Sequence, residues 1–231
     1  MKAGNINEER FKKVYENVNN SLLKSGREKE DVTVIAVTKS FPAQAILSAV
    51  EYGITNIGES RVQEADNKVK QLKTSAKITT HLIGHLQSNK ARKASSIFNI
   101  IHSVDSLKLA ERISRISEEK HTKTRIFLQI NIGNETRKHG ISEESSIDAG
   151  LEINSLPGIS LEGVMVIPPV SKEDKETRKY FQKTRVVQQS LKEQGGIKCT
   201  NLSMGMSSDF GIAIEEGATH LRIGTALFGH R

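Results

Sequence analysis

Cysteine is nearly absent from this chain. Cys199 stands alone among 231 residues, which excludes an internal disulfide framework and fits a reducing compartment. There is no tryptophan and aromatics make up only 4%, so a base-stacking platform for nucleic acid is poorly supported. No apolar run is long enough for a membrane span. The start, Met1-Lys2-Ala3-Gly4-Asn5, lacks the apolar stretch and small-residue cleavage site of a secretory signal. These absences point to a cytoplasmic protein with no membrane partner. The Asn-x-Ser/Thr sequons at Asn134 and Asn201 carry little weight without such a signal. No low-complexity tract or Pro/Gly/Ser linker divides the sequence, so residues 1–231 read as one domain.

With 36% hydrophobic and 26% charged residues, the chain can build a substantial core. The net charge of +7 is spread over its length. Its densest runs, Lys90-Ala91-Arg92-Lys93 and Lys120-His121-Thr122-Lys123-Thr124-Arg125, read as solvated faces or turns rather than a polyanion site. A nucleic-acid binder driven by charge alone would lose its affinity steeply with salt.

The pattern of apolar residues alternates strand with helix. An opening amphipathic helix carries Phe11, Val14, Val18 and Leu22 at helical spacing, with Asn5 and Glu8 as its capping signal. Residues 32–37 form a nearly continuous apolar run, as expected of a strand buried on both faces of a parallel sheet. Pro42 can open the next helix and Gly53 can close it. Further strands are predicted over 54–58, 78–83, 99–102, 125–132, 161–167, 199–203 and 219–223. The helical stripes between them are Val62, Ala65, Val69 and Leu72; then Leu109, Ile113 and Ile116; then Phe181, Thr184, Val187 and Leu191, ended by Gly195-Gly196. Eight strands separated by helices predict a single (β/α)8 TIM barrel with an extra N-terminal helix, in the α/β class. An open doubly wound sheet is the alternative, but no G-x-G-x-x-G turn follows the first strand. Gly58, Gly84 and Gly205, at strand ends, suit close approach of the backbone to a ligand.

Barrel enzymes gather their reactive groups where the strands end. Lys39 directly follows the first strand. Taken alone it reads as a lysine snorkelling to water; a desolvated lysine there would offer a neutral amine to a carbonyl. Ser203-Met204-Gly205-Met206-Ser207 follows strand seven and Gly224-Thr225 follows strand eight, the usual place for a phosphate cradle. Arg222, inside strand eight, needs a partner: a salt bridge to Glu59 or Asp209, or the pyridine nitrogen of a cofactor. His81 and His85 stand four apart, on a strand and its loop, with no third ligand evident, so no metal is expected. Asn131 and Met165 could face the mouth or fill the barrel.

Several segments in fixed order carry a resemblance over essentially the whole chain. They include Ile35-Ala36-Val37-Thr38-Lys39, Ile57-Gly58-Glu59-Ser60-Arg61-Val62-Gln63-Glu64, His81-Leu82-Ile83-Gly84-His85-Leu86-Gln87-Ser88-Asn89-Lys90 and His102-Ser103-Val104-Asp105. The series closes with Ser203-Met204-Gly205-Met206-Ser207-Ser208-Asp209 and Arg222-Ile223-Gly224-Thr225-Ala226-Leu227-Phe228-Gly229. In these the sequence resembles the pyridoxal phosphate homeostasis proteins, the YggS/PROSC-like family related in fold to the N-terminal barrel of alanine racemase. The resemblance implies pyridoxal 5′-phosphate (PLP) as cofactor, held as a Schiff base on Lys39. It implies a phosphate cradle of Ser207 with the amides of Gly224 and Thr225, and Arg222 as partner of the pyridine nitrogen. Asn56, Met165 and Met204 become expected pocket walls. Ser60 and Ile57 depart from the asparagine and phenylalanine of the family pattern, which leaves position 60 without an assigned role.

Carrier and racemase remain the two readings of function. Racemisation needs a base on each face of the substrate, and in alanine racemases the second is a tyrosine from a C-terminal β domain. Here the sequence stops at Arg231, and Tyr15, Tyr52 and Tyr180 all fall on predicted helices. The expectation is therefore a non-catalytic PLP carrier whose recipients would be PLP-dependent apo-enzymes; the absence of an apolar surface stripe and the resemblance imply a monomer. A Schiff-base aldolase acting on a sugar phosphate is a third reading, disfavoured by Arg222.

Overall fold

The apolar run near the N-terminus forms β1 (Thr33–Val37), buried from Val34 onward. In the computed structural model seven further strands join it side by side: β2 (Asn56–Glu59), β3 (Thr79–Leu82), β4 (Ile100–Val104), β5 (Thr124–Asn131), β7 (Ile159–Val166), β8 (Asn201–Met206) and β9 (His220–Ile223). All pair in parallel. The β4–β5 and β1–β9 pairings close the ring, so the sheet is a barrel and not the open alternative. The structure describes residues 4–133, 135, 138–195 and 198–230; Asn134, Gly196 and Arg231 lie outside them.

Helices α1 (Glu8–Ser25), α2 (Gln44–Glu51), α3 (Val62–Gln71), α4 (Ala91–Ile97), α5 (Leu107–Glu119), α6 (Ser146–Asn154), α7 (Asp174–Gly195), α8 (Phe210–Glu215) and α9 (Thr225–Phe228) surround the barrel. The extra helix α1 packs against α8 and α9. It is capped by Asn7, whose side chain accepts from the Arg10 amide at 3.2 Å, and not by Asn5. It ends at Gly26 in the left-handed conformation. Arg27 then donates to the carbonyls of Ile214 and Ala218, each at 2.9 Å, and ties this end to the α8 turn.

The expected stripes on α5 and α7 face inward as read. On α3 Val62 and Ala65 are buried as read and Leu72 packs against the core, but Val69 is exposed and the third buried residue is Lys68. Elements with no reading in the sequence include α6, α8 and the two-residue strand β6 (Ile141–Ser142), which pairs with the end of β5. The basic runs meet protein acids. Arg92 pairs with Glu119, Lys93 with Asp66 and Arg125 with Glu162, which leaves these cations no single polyanion face. Among the described residues no helix is long and apolar enough to cross a membrane.

Strand alternation sorts the side chains into two layers. Val34, Ala36, Ile57, Leu202, Met204, Leu221 and Ile223 belong to the large core under the helices. Ile100, Phe127 and Met165 form a separate cluster in the barrel interior, where the His102 ring stacks on Phe127 at 4.2 Å. The interior also takes polar groups (His81, His102, Ser203, Arg222) that must find partners there.

Candidate functional site

Where the strands end, the barrel mouth holds a cavity of about 310 Å3, within the range for small-ligand sites. Five residues singled out from the sequence line it: Lys39, Ser207, Arg222, Gly224 and Thr225. The rest of its wall is Val37, Phe41, Ile83, Ile167, Met206 and Ser208, none of them foreseen. Ile167, the last residue of the strand read over 161–167, falls one residue past the observed strand and is 37% exposed.

Lys39 sits in a sharp turn. The Phe41 amide donates to Thr38 O at 3.1 Å, and Ser40 adopts φ of 63°, unusual for a residue with a side chain. A buried charge cluster fixes both neighbours of the lysine. Lys68 Nζ donates to Thr38 O at 2.7 Å and pairs with Glu59 at 2.6 Å and Glu64 at 2.7 Å. Thr38 Oγ1 donates to Glu59 at 2.6 Å, and the Ser40 amide donates to Glu64 at 2.5 Å. Burial pushes the Glu59 carboxyl up, against the pull of Lys68 and Thr38. Burial also opposes ionisation of Glu64, but Lys68 and the Ser40 amide outweigh it and hold that carboxyl down. The apolar-stripe reading of α3 passed over Lys68.

Beside the end of β1, where the neighbouring strands β9 and β8 finish, the amides of Gly224 and Ala226 converge on Ser207 Oγ at 3.3 and 3.1 Å. Thr225, whose amide was expected in the phosphate cradle, lines the cavity next to them. This nest leaves the Ser207 hydroxyl proton for an anion. Asp209 Oδ1 accepts from the Met206 amide at 2.6 Å and shapes the loop.

Arg222 makes neither expected salt bridge. Its Nη1 donates to Ser203 Oγ at 2.7 Å and its Nη2 to Val166 O at 2.8 Å. Burial lowers its pKa to about 10, partly offset by the charge of Asp209, so it remains a cation at neutral pH. Behind it, His102 Nδ1 meets Ser203 Oγ at 2.8 Å, His81 Nδ1 meets His102 Nε2 at 2.9 Å, and Asn56 Oδ1 meets His81 Nε2 at 3.0 Å. Burial, reinforced by neighbouring cationic groups, pushes His81 down to about 3 and His220 to about 4, with His102 also far below its ordinary value.

Three expected walls are not brought to the cavity. Asn56 opens β2 at the far end from the mouth and is engaged by His81. Met165 packs deep in the barrel against Ile100 and Phe127. Met204 alternates with the inward Ser203 and so faces the helices. The three glycines read as ligand approaches instead accommodate the protein itself. A Cβ on Gly58 would lie 2.9 Å from Ile35, on Gly84 2.4 Å from Ser60 O, and on Gly205 2.7 Å from Ala213. His81 and His85 part company, the first turned into the barrel and the second out toward Asp105 at 3.0 Å.

The family described as "Alanine racemase, N-terminal domain" matches residues 11–231. The chain is 34% identical to the pyridoxal phosphate homeostasis protein of Aquifex aeolicus (strain VF5), over 96% of this chain and 97% of that one. It is 33% identical to the protein of that name from Escherichia coli (strain K12), over 94% of each. Among solved structures it is similar to PipY of Synechococcus elongatus PCC7942 with PLP bound, at 40% identity and a TM-score of 0.83, covering 93% of this chain and 99% of that one. An alanine racemase of Clostridium difficile 630 shares the fold at 18% identity and a TM-score of 0.78, covering 99% of this chain and 59% of that one. On sequence, length and fold together, the chain belongs to the family of pyridoxal phosphate homeostasis proteins.

Proposed function

We propose that this protein binds pyridoxal 5′-phosphate in the mouth cavity and works in PLP homeostasis as a carrier rather than a catalyst. The observation that carries the reading is the gathering of an amine, an anion nest and a buried cation around one cavity: Lys39, Ser207 with the Gly224 and Ala226 amides, and Arg222. These groups fit PLP, whose aldehyde condenses with an amine and whose phosphate takes hydroxyl and amide donors. Lys39 is the amine assigned to the Schiff base, with its turn held by the Lys68 cluster. Arg222 keeps its proton and can donate to a pyridine nitrogen, which leaves the ring unprotonated and weakens it as an electron sink. Relatives that carry the homeostasis name and PipY with PLP bound support the same reading.

The carrier role rests on the cavity wall. Among the described residues, that wall presents beside Lys39 no tyrosine, histidine, acid or cysteine to serve as the opposite base of a racemase. Tyr15 and Tyr180 lie on α1 and α7, and Tyr52 closes α2. The recipients would be PLP-dependent apo-enzymes, reached by a monomer in the cytoplasm.

The test is the absorption spectrum of purified protein with added PLP, for wild type and Lys39→Ala, followed by borohydride reduction and peptide mapping. A yellow band in wild type, absent in the variant, with the label on Lys39, is the expected result. No band in wild type would refute the reading. Racemase turnover abolished in Lys39→Ala would replace the carrier with an enzyme.

A further inference from the structure

On the same face of the barrel, three side chains with ligand atoms converge from three successive loops. His85 follows β3, Asp105 directly follows β4, and His139 follows β5. Nδ1 of His85 lies 3.0 Å, and Nδ1 of His139 3.5 Å, from the same Oδ2 of Asp105. All three ligand atoms fall within 4.8 Å of one another.

We propose that His85, Asp105 and His139 form a binding site for a zinc-class divalent cation, with water in the fourth position. The first argument is spacing. Bonds of about 2.0–2.2 Å in a tetrahedral site place neighbouring ligand atoms roughly 3.3–3.6 Å apart. The His139 separation from Asp105 falls inside that range and the His85 separation just short of it. The second is chemistry. Two imidazoles and one carboxylate suit zinc and its neighbours, whereas calcium and magnesium want a cage of oxygens. The third is support from behind. Ser106 Oγ donates toward the other oxygen of Asp105 at 3.5 Å. Gln129 Nε2 donates to His139 O at 2.9 Å, and Asn131 Nδ2 donates to Glu135 O at 2.9 Å and Lys138 O at 3.3 Å, which pins the loop that carries His139. Such outer partners orient metal ligands.

The two imidazole rings stack at 3.6 Å and 9°, and one ion cannot lie in the plane of two parallel rings. Binding therefore splays the stack. His139, with 56% of its side chain exposed, has room to turn. Asp105, at 11%, is the fixed member. The fourth position would open on a cavity of about 240 Å3 lined by both histidines, which shares the walls Ile83 and Ile167 with the Lys39 cavity. The sequence hid the site because its ligands come from three separate loops.

The experiment is equilibrium dialysis of tag-free, full-length protein, stripped with a chelator, against Zn2+, with bound metal read by atomic emission. Wild type should take up one equivalent. His139→Ala and Asp105→Asn should each bind at least about tenfold more weakly, the loss that even an outer partner can cause. His139→Ala should keep the wild-type circular dichroism and melting temperature in the absence of metal. A Co2+ difference spectrum should show a visible band of tetrahedral character in wild type and lose it in His139→Ala. No stoichiometric uptake by wild type, or equal affinity in both variants, would overturn the site. The PLP band of the same samples reports on the cofactor separately, so failure of one reading does not touch the other.

Discussion

Replacing Lys68 by methionine removes an ammonium that lies 2.6 Å from Glu59 and 2.7 Å from Glu64. It leaves two carboxylates facing each other, one of them nearly inaccessible. The side chains of Lys68 and Glu59 are 7% and 4% exposed, so solvent screens little of the loss. Removing one partner of a buried pair costs about 3–5 kcal/mol, a large part of the roughly 5–15 kcal/mol that holds a domain folded. For a chain of this size each kcal/mol moves the midpoint by about 2–4 °C, so the melt should fall by roughly 6–20 °C. The penalty should also depend on pH. Glu59 is raised above its ordinary 4.5, so its ionisation works against the fold as pH rises through its folded pKa, and without Lys68 that value rises further. Glu64 is held below 4.5, and that stabilisation, present above 4.5 and lost as pH falls, goes with the ammonium. Both effects widen the gap between wild type and variant above pH 4.5 and close it below. Lys68→Met with Glu59→Gln should recover much of the loss, because a neutral pair removes the stranded charge while the amide oxygen introduced there can still accept from Thr38. Because the cluster grips Thr38 and Ser40, the single variant should also bind PLP more weakly. Calorimetry across pH is the assay. A single-variant loss below about 1 kcal/mol, the scale of an exposed ion pair, or a loss that does not shrink in acid, would refute the reasoning.

Ser207→Ala should weaken PLP binding about tenfold or more, since a hydrogen bond to a charged group is worth about 1.5–3 kcal/mol. It should leave binding of pyridoxal, which lacks the phosphate, unchanged; fluorescence titration with both ligands checks this. Ser203→Ala strips a partner from both Arg222 and His102 and should cost about 1.5–3 kcal/mol in urea unfolding. Burial pushes the Cys199 thiol up to about 12, so a thiol reagent at mildly alkaline pH should label it only after the protein is denatured.

The strands were legible because parallel strands buried on both faces write themselves as apolar runs, and the order of strand and helix then leaves few architectures. Lys39, Ser207 and Gly224 were legible for a related reason, since they sit at strand ends and strand ends converge. Helix α6 was not. Its interior Gly150 weakens the helical signal, yet a Cβ there would lie 2.5 Å from Leu191 on α7, so close helix packing demands the glycine. Lys68 was hidden by periodicity, which scores the neighbouring Val69 as the inward residue and has no means of weighing two buried acids brought from elsewhere. Met204 was misplaced by one step of alternation, and Asn56 by its position at the wrong end of a correctly placed strand. Contacts between distant segments settle such details, and local pattern carries no record of them.

The row of groups behind Arg222 has a direction. A guanidinium cannot accept, so Ser203 accepts from it; Asn56 Oδ1 at the other end can only accept, so with neutral rings Ser203 must turn its own proton toward His102. His102 then accepts that hydrogen bond on Nδ1 and donates from Nε2 to His81 Nδ1, and His81 in turn donates from Nε2 to Asn56 Oδ1. With both imidazoles kept neutral by burial, this is the one arrangement of protons the row allows, and no member can flip without stranding the next. The local dipoles therefore add, all aligned from the mouth toward the barrel floor. Ring N–H protons of His81 and His102 would resonate as two sharp, slowly exchanging signals at neutral pH, and the barrel would present its ligand with a donor of fixed orientation instead of a mobile charge.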